Sequence, residues 1–125
     1  MDEERIGKAI IGAALKVHSA LGPGLLESAY QACLAHELIQ SELDIEQEVG
    51  LPVRYLGNSL DVGYRIDLWI NRKVIVEIKA VEKLMPIHTA QLLSYLKLSN
   101  SKLGFLLNFN VIHMRDGINR VVNGL

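Results

Sequence analysis

Tyr64-Arg65-Ile66-Asp67-Leu68-Trp69-Ile70-Asn71-Arg72-Lys73-Val74-Ile75-Val76-Glu77-Ile78-Lys79 is the stretch whose reading decides the fold. Two apolar segments flank a short polar one, the pattern of a hairpin, and charges stand where a core would carry none. Residues 74–81 are apolar on both faces except at Glu77 and Lys79, which reads as a central strand covered on both sides. Side chains alternate along a strand, so Glu77 and Lys79 share a face. A three-residue turn over 71–73 pairs Ile70 with Val74 and sets Asp67 opposite Glu77, with Cβ atoms about 4.5–5.5 Å apart. Two carboxylates and an ammonium group then meet on a largely buried sheet. Buried charge must be paired or must hold a metal. A divalent cation between Asp67 and Glu77 would relieve their repulsion.

The 125 residues fit one domain, large enough for a real core and too small for a separate recognition module. Half the residues are apolar and no segment is low-complexity, which argues against disorder. The acidic start, Met1-Asp2-Glu3-Glu4-Arg5, does not resemble a signal peptide, and no apolar run is long enough for a membrane span. A single cysteine, Cys33, excludes an internal disulfide and suits the reducing cytoplasm. It reads as a buried helix residue, since no Cys/His partner stands at metal spacing. The net charge of −1 is unusual for a chain relying on the DNA backbone, which attracts basic proteins. Either the basic residues cluster on one face or such binding is weak.

Outward from the hairpin, Ile6, Ile10, Ala13, Ala14, Val17 and Leu21 form a helical stripe, predicting a helix over 3–21. Gly22-Pro23-Gly24 stops it, because glycine suits the left-handed cap and proline cannot continue the helix. A second helix is expected from 25 to 41, with Leu26, Ala29, Tyr30, Cys33, Leu34 and Leu38 apolar and Glu27 in a first turn that favours an anion. Residues 44–55 look extended, with Pro52 marking an edge or bend, and Gly57-Asn58 signals a turn. The paired strands are expected over 60–70 and 73–81. A helix over 86–99, opened by Pro86, and a buried strand over 102–110 follow, so the last strand should lie parallel to its predecessor. A short strand around 120–122 closes the chain. The order is α-α-β-β-β-α-β, an α/β architecture in which helices flank a mixed β-sheet.

Asp67 followed by Glu77-Ile78-Lys79 has the form of the Asp…Glu-X-Lys signature and resembles the PD-(D/E)XK nuclease superfamily. A closer likeness is to its GxxExxY family, whose motif stands here as Gly24-Leu25-Leu26-Glu27-Ser28-Ala29-Tyr30. Val17-His18, Leu21-Gly22-Pro23-Gly24, Tyr64-Arg65-Ile66-Asp67, Gln91-Leu92-Leu93-Ser94-Tyr95-Leu96 and Leu107-Asn108-Phe109 extend the resemblance from about residue 6 to 122. Ile66 stands where the superfamily's name has proline, a position that supplies no ligand. The resemblance implies a restriction-endonuclease-like core, a single nuclease-like domain over 1–125, and a bound Mg²⁺ or Mn²⁺. Asp67 and Glu77 would be direct ligands with the Ile78 carbonyl a third. Glu27 is similar to the superfamily's additional helical acid, placed to hold a second ion or a coordinated water.

Chemistry gives these residues work to do. Mg²⁺ prefers oxygen ligands and keeps several waters; it polarises a phosphoryl oxygen and acidifies water. Lys79 would orient the attacking water or neutralise charge developing on phosphorus. His88, Gln91 and Tyr95 fall on one stripe of the third helix. The resemblance makes Gln91 a positioner of phosphate or water with Tyr95 behind it; hydrogen bonding of helix to sheet explains both residues equally well. His18 reads as a capping or core-edge histidine and Tyr30 as a core tyrosine, each with a secondary possibility of a place beside Glu27. Arg65 would meet a carboxylate or a phosphate. The expected activity is low-specificity, metal-dependent hydrolysis of nucleic acid, DNA before RNA, with a homodimer permitted. Two alternatives stand beside it: a non-catalytic nucleic-acid- or partner-binding module that keeps the acids structurally, and hydrolysis of a phosphorylated small molecule, which needs a closed pocket.

Overall fold

In the computed structural model, which describes residues 1–125, the chain opens on helix α1 (Glu3–Leu21). Asp2 starts it by accepting the Arg5 N–H at 2.9 Å, satisfying one donor of the first turn. Gly22, at φ 66°, ends it by donating to the His18 carbonyl, a backbone setting open to glycine at little cost. Helix α2 (Glu27–Gln40) begins two residues later than its pattern suggested, with Leu26 extended at φ −71° and ψ 152° as an N-cap without a side-chain hydrogen bond. The two helices bury Ile6, Ile10, Ala14, Val17, Tyr30, Leu34 and Leu38 against one face of a sheet.

That sheet has the order β1-β4-β5-β6-β7. Strand β1 is Ile45–Gly50, β4 is Arg65–Ile70, β5 is Val74–Lys79, β6 is Leu103–Asn108 and β7 is Ile118–Val122. Helix α3 (Pro86–Ser99) links β5 to β6, and those two strands are parallel; the remaining neighbours are antiparallel. The mixed sheet flanked by helices is therefore as expected. Strand β5 lies at its centre, with residues 74–78 all buried. Val74, Val76 and Ile78 join the cluster under α1 and α2, whereas Ile75 joins Leu92, Tyr95, Leu96 and Leu106 under α3. Alternation then directs Glu77 and Lys79 to the α3 side.

Three features depart from the sequence reading. Residues 44–55 break at Leu51-Pro52, and β2 (Val53–Tyr55) pairs with β3 (Asn58–Leu60) as a separate two-stranded hairpin. The strand expected from residue 60 begins only at Arg65. Gly63, at φ 86°, donates its N–H to Asp61 Oδ1 at 3.0 Å, and this local turn replaces the extended backbone. The tail forms a 3-10 turn (Met114–Gly117) and a fuller β7 that closes the far edge of the sheet. No helix is long and apolar enough to cross a membrane.

Candidate active site

The turn after β4 behaves as the sequence requires: Ile70 pairs with Val74, Trp69 with Ile75 and Leu68 with Val76. Asn71 and Arg72 both take φ 52°, a setting that asparagine tolerates and arginine accepts only when held. Arg72 is held, by a two-pronged contact with Glu46 at 2.8 and 2.9 Å and by stacking over Trp69 at 4.6 Å. The register is thereby pinned on the side away from the acids.

Beyond Leu68 the regular ladder stops. Asp67 and Glu77 do not form a backbone pair; each carboxylate instead takes the other strand's N–H. Asp67 N–H donates to Glu77 Oε2 at 2.8 Å, and Ile78 N–H donates to Asp67 Oδ2 at 2.8 Å. The neighbouring β1 contributes to the break. Its ladder with β4 lacks the Glu48–Asp67 rung, and Glu48 sits at φ 51°. Facing changes there as well: Leu68, Ile70 and Ile45 pack on the α1–α2 side, while Ile66 and Val49 pack on the α3 side. Such a local twist opens the sheet enough for two acids to stand between strands. Gln31 of α2 closes the back of the opening by donating to the Asp67 carbonyl at 3.3 Å.

The electrostatics follow from this crowding. Glu77 is only 6 % exposed. Burial first, and the Asp67 carboxylate second, push its pKa up to about 8, against the opposing pull of the Asp67 N–H and Lys79. Asp67 is also raised, burial outweighing the Ile78 hydrogen bond and the Lys79 charge, with Glu48 and Glu27 adding repulsion. Lys79 is half-buried, makes no ion pair, and is the one cation that both acids feel. Asp67, Glu77 and Lys79 are thus brought together as the sequence suggested.

Glu27 reaches the same end of the sheet but stands apart from the pair, its Oε2 accepting the Ala80 N–H at 3.3 Å. No three His, Cys, Asp or Glu side chains converge as a metal cluster. Asp67 and Glu77 are thus the two oxygen-ligand side chains that meet here, and such a pair could hold an ion that keeps several waters. Gln91 donates to the Tyr95 hydroxyl at 3.3 Å, and that hydroxyl is pushed up first by burial and then by the Glu77 charge. Both belong to the flank of the site. Arg65 stays exposed and free of any carboxylate, its guanidinium lying where a Cβ on Gly50 would meet it at 2.9 Å.

Two secondary candidates make contacts within the fold. His18 is buried and donates Nε2–H to the Val111 carbonyl at 2.7 Å, tying α1 to the segment after β6. Tyr30 stacks on Phe109 at 4.6 Å and donates to the Gly22 carbonyl at 2.6 Å, while Leu25 N–H donates back to its hydroxyl. It orders the glycine turn and does not orient Glu27. Residues missed from sequence are Glu48, Gln31 and Asn108. Asn108 is buried and holds both the Val81 N–H, at 3.1 Å, and the Val81 carbonyl, at 2.9 Å, fixing the chain as it leaves β5. A buried asparagine ending an apolar run was the available signal for it; Glu48 could be found only through the long-range β1–β4 register.

Buried carboxylates, a lysine without an ion pair and a splayed strand pair could together hold a hard cation beside a phosphoryl group. No match was found among curated proteins or among solved structures. A family model described as the PD-(D/E)XK nuclease superfamily matches residues 4–121, and the sheet with its flanking helices is consistent with a restriction-endonuclease-like fold. With nearly the whole chain matched and Asp67, Glu77 and Lys79 gathered at one opening of the sheet, the chain belongs to the PD-(D/E)XK nuclease superfamily.

Proposed function

We propose that the chain is a single-domain, metal-dependent nuclease of the GxxExxY type that hydrolyses nucleic acid, DNA in preference to RNA, with low sequence specificity. The observation that carries this reading is the interlocked carboxylate pair, a buried arrangement whose full charge would be costly without a cation to offset it. Asp67, Glu77 and the Ile78 carbonyl would hold Mg²⁺ or Mn²⁺, with Glu27 serving from the end of α2. When bound, the ion would supply Lewis-acid polarisation of a phosphoryl oxygen and a lowered pKa for a coordinated water. The Lys79 ammonium neutralises charge developing on the phosphoryl oxygens and orients the water. Gln91, steadied by Tyr95, positions the phosphate from the α3 side, and Arg65 offers a second phosphate contact from β4. The lone thiol Cys33 supports a cytoplasmic setting. A homodimer would place two such sites on opposite strands.

One observation favours a second reading, a non-catalytic nucleic-acid- or partner-binding module: no third ligating side chain closes on the pair. A cleavage assay with Mg²⁺ or Mn²⁺ over single-stranded, duplex and branched DNA and RNA separates the two. The nuclease reading expects metal-dependent products from the wild type and none from Glu77→Ala. Products that persist in Glu77→Ala, or none on any substrate, would overturn it.

A further inference from the structure

On the α3 flank of the acids lies a cavity of about 350 Å³, bordered on one side by the Gln91 and Tyr95 placed above beside the phosphate. Its size is at the small end of sites for small organic groups, about 300–1,000 Å³. Tyr64, just ahead of β4, and Tyr95 of α3 form two of its walls, with ring centroids 5.8 Å apart and planes tilted by 53°. Tyr95 is 5 % exposed and is the floor. Tyr64, at 43 %, and Ile87, at 69 %, form an open rim. The backbone of Tyr64 is fixed, its carbonyl accepting the Leu51 N–H at 2.9 Å.

The polar groups in the cavity are neutral and directional. His88 Nδ1 accepts the Met85 N–H at 3.0 Å, which leaves the proton on Nε2 as a donor. Gln91 commits one amide N–H to Tyr95, leaving its second N–H to donate and its carbonyl oxygen to accept, and Ser94 can do either. No lysine or arginine lines the space. Such a lining suits the edge and faces of a heterocycle and not a phosphate, which would require cations.

We infer that this cavity receives one unstacked nucleobase of a strand whose neighbouring phosphate lies at Asp67 and Glu77, so that the substrate class is single-stranded or locally melted nucleic acid. The inference rests on the nuclease reading for the place of the phosphate. A base inside an intact duplex is stacked on both sides and cannot enter a side pocket without being extruded. Affinity from stacking also accords with a net charge of −1, because a ring face needs no counter-charge whereas a duplex backbone does.

The test is binding without hydrolysis. Fluorescence anisotropy is measured in EDTA at low salt with labelled oligothymidylate, the same length of abasic strand, and the corresponding duplex. Wild type should bind oligothymidylate about tenfold more tightly than the abasic strand, which has the same phosphates and no rings to stack. Tyr64→Ala should erase that preference while Tyr64→Phe keeps it, and thermal melts should show both variants folded. Equal binding of base-bearing and abasic strands, no detectable binding of either, a preference for duplex, or an undiminished preference in Tyr64→Ala would overturn the inference. Cleavage plays no part in this readout, so an inactive but base-selective protein would count against the nuclease reading alone. An active protein indifferent to bases would count against the cavity alone.

Discussion

Glu77→Gln should stabilise the metal-free protein at alkaline pH and leave it nearly unchanged in acid. In the unfolded chain this carboxyl ionises near 4.5; in the fold burial and Asp67 move it to about 8. A raised carboxyl pKa means that the folded state holds a proton the unfolded state has lost. Stability contributed by the protonated form is complete below pH 4.5 and is lost as pH climbs toward 8. Each unit of displacement is worth about 1.4 kcal/mol, giving a ceiling on the order of 5 kcal/mol, which strand relaxation and water entry reduce to a few. Glutamine has no proton to lose. It keeps an oxygen to accept the Asp67 N–H and gains an amide to offer the Asp67 carboxylate. The charged groups facing the position are Asp67, Lys79 and Glu48, and all remain in the variant. Urea unfolding followed by Trp69 fluorescence in EDTA at pH 4.5, 7 and 9 reads the difference between the two proteins. With a slope of about 1.5–2 kcal/mol per molar urea, the variant's midpoint should lead by more than about 1 M at pH 9 and coincide at pH 4.5. A difference that is constant with pH, or a wild type more stable at 9 than at 4.5, would refute the reasoning.

Mn²⁺ or Mg²⁺ should raise the wild-type melting temperature, because a ligand held only by the fold adds about 2.7 kcal/mol at a hundred times its Kd. Asp67→Ala should abolish that shift, and a shift surviving in that variant would remove Asp67 from the ligand set. Lys79→Ala should retain the shift while lowering turnover by about a hundredfold or more, as loss of a group that stabilises developing charge does; unimpaired cleavage would dismiss the role. Tyr30→Phe should cost about 1–2 kcal/mol in chemical denaturation, since the Gly22 carbonyl and Leu25 N–H both lose their partner. It should leave the metal-induced shift intact, and loss of that shift would tie Tyr30 to the acids after all.

What could be read from the chain depended on how local the cause was. Helices α1 and α3 stand where their stripes and proline or glycine signals put them, because caps and apolar faces are fixed within a few turns. The central strand was legible for another reason: an apolar run that tolerates a glutamate and a lysine is too costly to be accidental, and a tight turn sets the partner. Leu60, Val62, Tyr64 and Ile66 alternate as a strand should, yet Asp61 and Gly63 form a turn among them, and Leu60, Val62 and Tyr64 remain exposed. Alternation reports only that a strand could bury one face, and no second layer covers this one. The missing Asp67–Glu77 rung was illegible for the converse reason. Register arguments assume that backbone pairs with backbone, whereas here two carboxylates accept the N–H groups themselves. That substitution needs the β1 partner to twist at Glu48, nearly twenty residues before Asp67 in the chain. The acids were visible because their charge breaks a local rule. The opening between them was hidden because it depends on the β1–β4 and β4–β5 ladders both losing their regular pairing at Asp67, which no local pattern announces.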